Sequence, residues 1–86
     1  MTYRIEIAKP AAKFIHKLPA PDKERVLRAI HKLPEEGDIK QLKGQKNGIC
    51  FRLRVGDYRI IYTVDHGALV VCVVDAGNRG QIYNKY

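Results

Sequence analysis

The chain has 86 residues, 45% of them apolar and 29% charged, the make-up of one small soluble domain and not of a multidomain enzyme or a disordered tail. Its 16 Lys and Arg residues against 9 Asp and Glu leave a formal charge of +7, so an anionic partner is the first expectation. Cys50 and Cys72 are too few to staple a secreted mini-protein, Arg4 and Glu6 interrupt the N-terminal apolar run, and no stretch approaches the ~18 apolar residues of a membrane span. A cytoplasmic domain with free thiols and no membrane association is expected.

Tyr3, Ile5 and Ile7 alternate with Arg4 and Glu6, the period-2 pattern of a half-buried strand. Pro10 suits a first helical turn, and Ala11, Phe14, Ile15 and Leu18 follow at helical spacing until Pro19. A second helix opens at Pro21-Asp22, whose acid favours the positive helix start, and carries Val26, Ala29, Ile30 and Leu33 on one face before Pro34. The two form a helical hairpin with a basic outer surface of Lys13, Lys17, Lys23, Arg25, Arg28 and Lys32. Residues 34–48, rich in Gly and charge, break both periodicities and read mainly as loop.

Phe51, Leu53 and Val55 then alternate with Arg52 and Arg54, and Tyr58, Ile60, Tyr62 and Val64 with Arg59, Ile61 and Thr63, across a two-residue Gly56-Asp57 turn. Gly at the first central position suits a type II′ turn, which sets Val55 opposite Tyr58 and Arg54 opposite Arg59. Asp65-His66-Gly67 reads as a second tight turn, with Gly67 in the left-handed position and Val64 opposite Ala68. The strand that follows is apolar on both faces and belongs inside a sheet. The order β-α-α-β-β-β predicts a single α+β domain over residues 1–86: a helical hairpin on one face of a mostly antiparallel four-stranded sheet, the first strand beside the last.

Like charges directly opposite on neighbouring strands repel, so Arg54 across from Arg59, with Arg52 on the same face, calls for something to neutralise them. Without a bulge, Arg59 faces Val73 and the arginine face continues through Asp75, Gly77 and Arg79, so that Arg52, Arg54, Arg59 and Arg79 converge. One reading is a solvated charged face, partly paired with Asp57 or Asp75. The other is a phosphate site, since guanidinium groups offer planar paired donors and all three basic residues of the hairpin are Arg where Lys dominates elsewhere. Tyr83, four residues after Arg79, is placed to return to that face. His16, His31 and His66 lie on separate elements without metal-ligand spacing, Gly44 to Gly48 match no phosphate-binding glycine fingerprint, and there is no serine for a Ser-His-Asp triad. Alternation sets Cys50 and Cys72 on opposite faces. No metal or other cofactor is expected.

Leu42-Lys43-Gly44, the run from Phe51 to Tyr62, Ala76-Gly77-Asn78-Arg79 and Ile82-Tyr83 together resemble the RelE/ParE toxin superfamily over nearly the whole chain. The resemblance implies a toxin of a type II toxin-antitoxin system on the RelE branch, a metal-independent endoribonuclease that cuts messenger RNA on the ribosome and is silenced by a cognate antitoxin in a hetero-oligomer. In that family the positions matching Arg52, Arg54, Arg59, Arg79 and Tyr83 surround the scissile phosphate. The roles implied are a grip on the phosphate by Arg59 and Arg79, transition-state stabilisation by Arg54, and orientation or deprotonation of the ribose 2′-hydroxyl by Tyr83. Arg52, Lys43 and Lys46 are expected to contact the RNA backbone. Some relatives carry lysine where this chain has Arg52 and Arg54, and arginine, charged above pH 12, is a poor general base. Two alternatives stand beside this one: a ParE-like toxin acting on DNA gyrase, and an inactive module that binds RNA or an antitoxin.

Overall fold

A computed structural model describes residues 3–42 and 50–78. The N-terminal alternation becomes strand β1 (Arg4–Ile7), followed by helices α1 (Lys9–His16) and α2 (Ala20–His31). Pro10 lies in the first turn of α1, where its missing N–H costs no hydrogen bond, and Pro19 caps the start of α2 in extended backbone. Neither helix has a side-chain N-cap. α2 has Asp22 in its first turn, and that carboxylate also accepts a 2.6 Å hydrogen bond from the Tyr58 hydroxyl. No described helix is long and apolar enough to cross a membrane.

Four further strands follow: β2 (Asp38–Gln41), β3 (Phe51–Val55), β4 (Tyr58–Asp65) and β5 (Val70–Asn78). They form one sheet in the order β1-β5-β4-β3-β2, antiparallel except for the β1–β5 pair. The α+β architecture and the place of β1 beside the last strand match expectation, but the sheet has five strands, not four. The additional one, β2, lies inside the segment read as loop. It has a single apolar residue, Ile39, and as an edge strand buries little, so no alternation marks it. Gly37 leads into it at φ 138°, with its Cα so close to Leu53 that a Cβ would sit 2.6 Å from a Leu53 methyl.

α1 leans chiefly on β5 and α2 on β3, and between helices and sheet lies the core. Ala11, Ile15, Val26, Ile30 and Leu33 meet Leu53, Val55, Ile60, Tyr62, Val71, Val73 and Ala76. Each fully buried aliphatic or aromatic side chain contributes roughly 1.5–3 kcal/mol, which is large for a chain of this size. Tyr62 stacks on Phe51 with ring centroids 5.4 Å apart, and burial pushes its phenol up to about 12.

The β3–β4 turn is as read. Gly56 has φ 59° and Asp57 does not share the positive φ, the signature of type II′, and Val55 pairs with Tyr58. The β4–β5 turn is not. Asp65 pairs with Val70 across a loop of residues 66–69, and Leu69, not Gly67, takes the left-handed conformation at φ 56°. The Asp65 carboxylate accepts hydrogen bonds from the Gly67 and Ala68 amides, both 3.0 Å, and so stabilises the wider loop. The expected Val64–Ala68 pairing is therefore replaced by Val64–Val71, a slip of three residues that swaps the faces of residues 70–73. Val71 and Val73 enter the core, and Cys72 turns to the same face as Arg52 and Arg54, contrary to the expected separation of the two thiols.

Two outcomes follow from this packing. Gly56→Ala forces an L-residue into left-handed backbone and is expected to cost about 1–2 kcal/mol in urea unfolding, the approach to the flexible Arg25 guanidinium adding little. Tyr62 has a folded pKa above its unfolded value, so its contribution is intact below pH 10 and lost as pH rises towards 12, by at most roughly 1.4 kcal/mol per pH unit. Tyr62→Phe should flatten the alkaline fall in unfolding free energy between those limits, and an unchanged slope would contradict the assignment.

Candidate functional site

The face of the sheet turned away from the helices carries the arginines. Arg52 and Arg54 alternate with the core residues Leu53 and Val55 on β3, and the tight turn returns β4 so that Arg59 lies directly opposite Arg54. Three guanidinium-bearing positions thus share one face on two adjacent strands. Beside them, Ile61 and Cys50 are buried with Leu42 and Val74 packed against them.

The three arginines differ in freedom. Arg59 is buried, only 5% exposed, and its Nη1 donates 3.3 Å hydrogen bonds to the Gly56 and Tyr58 carbonyls, which tie the guanidinium to the hairpin turn. Its partner on β5 is Gly77, which has no side chain. Arg52 is nearly as enclosed and donates from Nη2 to Asp38 Oδ1 at 3.0 Å. Arg54 is half exposed, with its Nε 4.0 Å from Asp38 Oδ2. Among the described residues neither Arg52 Nε nor Arg59 Nε, both buried, finds a hydrogen-bond acceptor.

Asp38 is the residue that sequence reasoning missed. It stands opposite Arg54 on β2, and its carboxylate lies against both Arg52 and Arg54. The counter-ions named from the sequence were Asp57 and Asp75; the ion pairs of Arg52 and Arg54 go to Asp38 instead. The signal was present only in register: once residues 38–41 are a strand beside β3, an acid falls across from Arg54.

Asp75 and Gly77 do lie on the arginine face, although Arg59 faces Gly77 and not Val73. The register slips by one more residue between Ile61 and Tyr62, where Val74 is an additional residue in β5. Three residues from the turn and one from the bulge make four, an even number, so alternation beyond the bulge is restored. Asp75 is buried, and its Oδ1 accepts from the Ala76 amide at 2.9 Å. Of the remaining candidates, Arg79, Tyr83, Lys43 and Lys46 lie outside the described residues, as does the Gly44–Gly48 segment.

Buried guanidinium donors without acceptors are costly, because desolvation is not offset by a hydrogen bond. An anion with several oxygens, such as a phosphate, would satisfy them through short charge-assisted bonds and relieve the Arg54–Arg59 repulsion. A carboxylate already performs part of this service through Asp38.

Known proteins share this fold. A chain of the archaeal RelE–RelB complex of Pyrococcus horikoshii OT3 is 31% identical, with 94% of this chain and 99% of that one covered and a TM-score of 0.74. A chain of the RelB–RelE antitoxin-toxin complex of Methanococcus jannaschii is 26% identical, covering 94% and 98%, with a TM-score of 0.71. A chain of the toxin-antitoxin complex RelBE2 of Mycobacterium tuberculosis shares the fold at 23% identity, covering 92% and 100%, with a TM-score of 0.75. Comparison with curated proteins returns no match. The model of the ParE toxin of the type II toxin-antitoxin system parDE matches residues 5–83, nearly the full length over which the helices, the sheet and its arginines are laid out. The chain belongs to the RelE/ParE superfamily: it is a toxin of a type II toxin-antitoxin system, with the fold of the RelE toxins.

Proposed function

We propose that this toxin is a ribosome-dependent endoribonuclease that cleaves messenger RNA in the cytoplasm, inhibits translation, and is held inactive by a cognate antitoxin. The observation that carries the reading is the pair of enclosed guanidinium groups, Arg52 and Arg59, each with a buried Nε lacking an acceptor among the described residues, on the face they share with Arg54. The antitoxin partner is supported by likeness to chains solved in RelE–RelB complexes.

The reaction is attack of a ribose 2′-oxygen on the adjacent phosphorus, with cleavage of the bond from phosphorus to the 5′-oxygen of the next nucleotide. A proton leaves the 2′-hydroxyl and one is delivered to the departing 5′-oxygen, giving a 2′,3′-cyclic phosphate and a 5′-hydroxyl end. DNA, having no 2′-hydroxyl, is not a substrate. Arg59, tied to the turn carbonyls, is suited to grip the phosphate without reorganising, and Arg79 is assigned the same task. Arg54, half exposed and able to move, follows the charge that develops on the phosphoryl and leaving oxygens. Arg52, with Lys43 and Lys46, places the RNA backbone. Tyr83 is assigned the task of orienting or deprotonating the 2′-hydroxyl. Arginine, lysine and tyrosine are by nature poor general bases at neutral pH, so free RNA is cut slowly and the ribosome supplies the substrate geometry.

Induced expression followed by mapping of transcript ends tests the proposal. Wild type should yield 5′-hydroxyl and cyclic-phosphate ends within translated messages, while Arg59→Gln and Arg79→Ala each lower cleavage by about 100-fold or more with the fold retained. Intact transcripts with inhibited gyrase would favour a ParE-like target, and salt-sensitive RNA binding without new ends an inactive binding module.

Asp38 supplies an independent test, since its carboxylate must share or yield the guanidinium groups to an incoming phosphate. Asp38→Asn should tighten binding of an uncleavable 2′-O-methyl RNA several-fold at low salt. Because Asp38 is exposed but the Arg52 it neutralises is enclosed, the substitution should lower unfolding free energy by about 1–2 kcal/mol. Weaker RNA binding in this variant would show that Asp38 positions the arginines and does not compete for them.

A further inference from the structure

We propose that the groove between α2 and β3 is a second anion subsite, which holds the backbone of the same single RNA strand after it leaves the arginine face. The inference rests on the ribonuclease reading above and extends it to a surface that the reaction itself does not require.

The groove has a volume of about 410 Å³. Arg25, Arg28 and Lys32 line its helix side, spaced three and four residues apart and therefore on one face of α2, and Arg54 of β3 lines it opposite. Two acids, Glu36 and Asp38, also line it. Asp38 is already engaged by Arg52 and Arg54, and Arg25 shares Asp22 at 3.8 Å. Among the described residues Arg28 and Lys32 have no ion pair. Like charges at this helical spacing destabilise a helix, a cost that an anionic occupant reverses.

The floor is different in kind. Half-buried Ala29 closes it over the core residues Leu53 and Val55, a narrow apolar strip against which a ribose can rest while its phosphate faces the cations. The volume falls at the low end of the range for small-molecule sites, roughly 300–1,000 Å³, enough for about one nucleotide.

Arg54 connects the two surfaces. It stands opposite Arg59 on the arginine face, is half exposed, and also borders the groove. The Arg25 guanidinium lies over the tight turn beside it, 3.0 Å from where a Gly56 Cβ would be. Cations therefore continue from Arg59 through Arg54 and the hairpin turn to Arg25, Arg28 and Lys32. A polyanion bound at one end meets positive charge along the whole route. A flexible single strand can follow that bend around the sheet, whereas a duplex would have to be sharply deformed.

The test is salt-dependent binding of uncleavable 2′-O-methyl RNA to the full chain, by fluorescence anisotropy, with strands of about three and about nine nucleotides. Each phosphate contact in a single strand contributes about −0.7 to the slope of log K against log salt. Arg28→Ala/Lys32→Ala should make the slope for the longer strand shallower by about 1.4 and leave that for the shorter strand unchanged. Lys13→Ala/Lys17→Ala, which removes the same charge from exposed positions of α1 and its C-cap, should leave both slopes unchanged. Equal losses on both lengths would overturn the shared-strand geometry, and no loss on either would overturn the subsite. Loss of affinity for a polyglutamate peptide, with RNA binding intact, would assign the groove to an acidic protein segment and overturn the proposal. Mapping of transcript ends, read separately, reports on the nuclease: a cutting enzyme with an unaltered slope defeats the groove alone, and a changed slope without cutting defeats the nuclease alone.

Discussion

The two-residue turn at Gly56-Asp57 is the constraint from which the site and the core both follow. By pairing Val55 with Tyr58 it leaves β3 and β4 no freedom of register, and because strand side chains alternate, every residue of both strands is then assigned a face. Leu53, Val55, Ile60 and Tyr62 go to the helices, and Arg52, Arg54 and Arg59 go to the other side. A slip of one residue would drive guanidinium groups under α1 and α2. The carbonyls of Gly56 and Tyr58 at the same turn accept from Arg59, and the turn lies beneath Arg25, so one short piece of backbone connects the packing of the core to the cations on both sides of the sheet.

Electrostatics then shapes what that face can do. Placing Arg54 opposite Arg59 is unfavourable in isolation, and the fold answers with one carboxylate from the edge strand, Asp38, which lies against Arg52 and Arg54 but is not paired with Arg59. The result is a graded set of cations: one buried and tied to backbone, one enclosed and ion-paired, one half free. Such a gradient suits a polyanion that must be located by a fixed group and accommodated by a mobile one.

Much of this was legible in the sequence where periodicity and turn chemistry agreed. The helices, β1, the hairpin of β3 and β4, and the Arg54–Arg59 pairing are all written in alternation or helical spacing, punctuated by Pro and Gly. β2 was hidden because an edge strand with Ile39 as its one apolar residue has no pattern to show, and with it went Asp38. The β4–β5 turn was misread because Gly67 looked like the left-handed residue. The Asp65 carboxylate instead binds two loop amides and moves that conformation to Leu69, which no propensity favours. Asp75 and Gly77 were nevertheless assigned to the right face, through two errors whose sum was even.

That even sum reflects how β5 is built. Below Val74 the strand keeps step with α1 and β1, offering Val71 and Val73 to the interior; above it, the strand keeps step with the hairpin and offers Gly77 beside Arg59. The extra residue acts as a phase shifter, so the two halves of one strand obey different neighbours. A chain lacking that single residue would have to choose between a filled interior and a correctly presented arginine face.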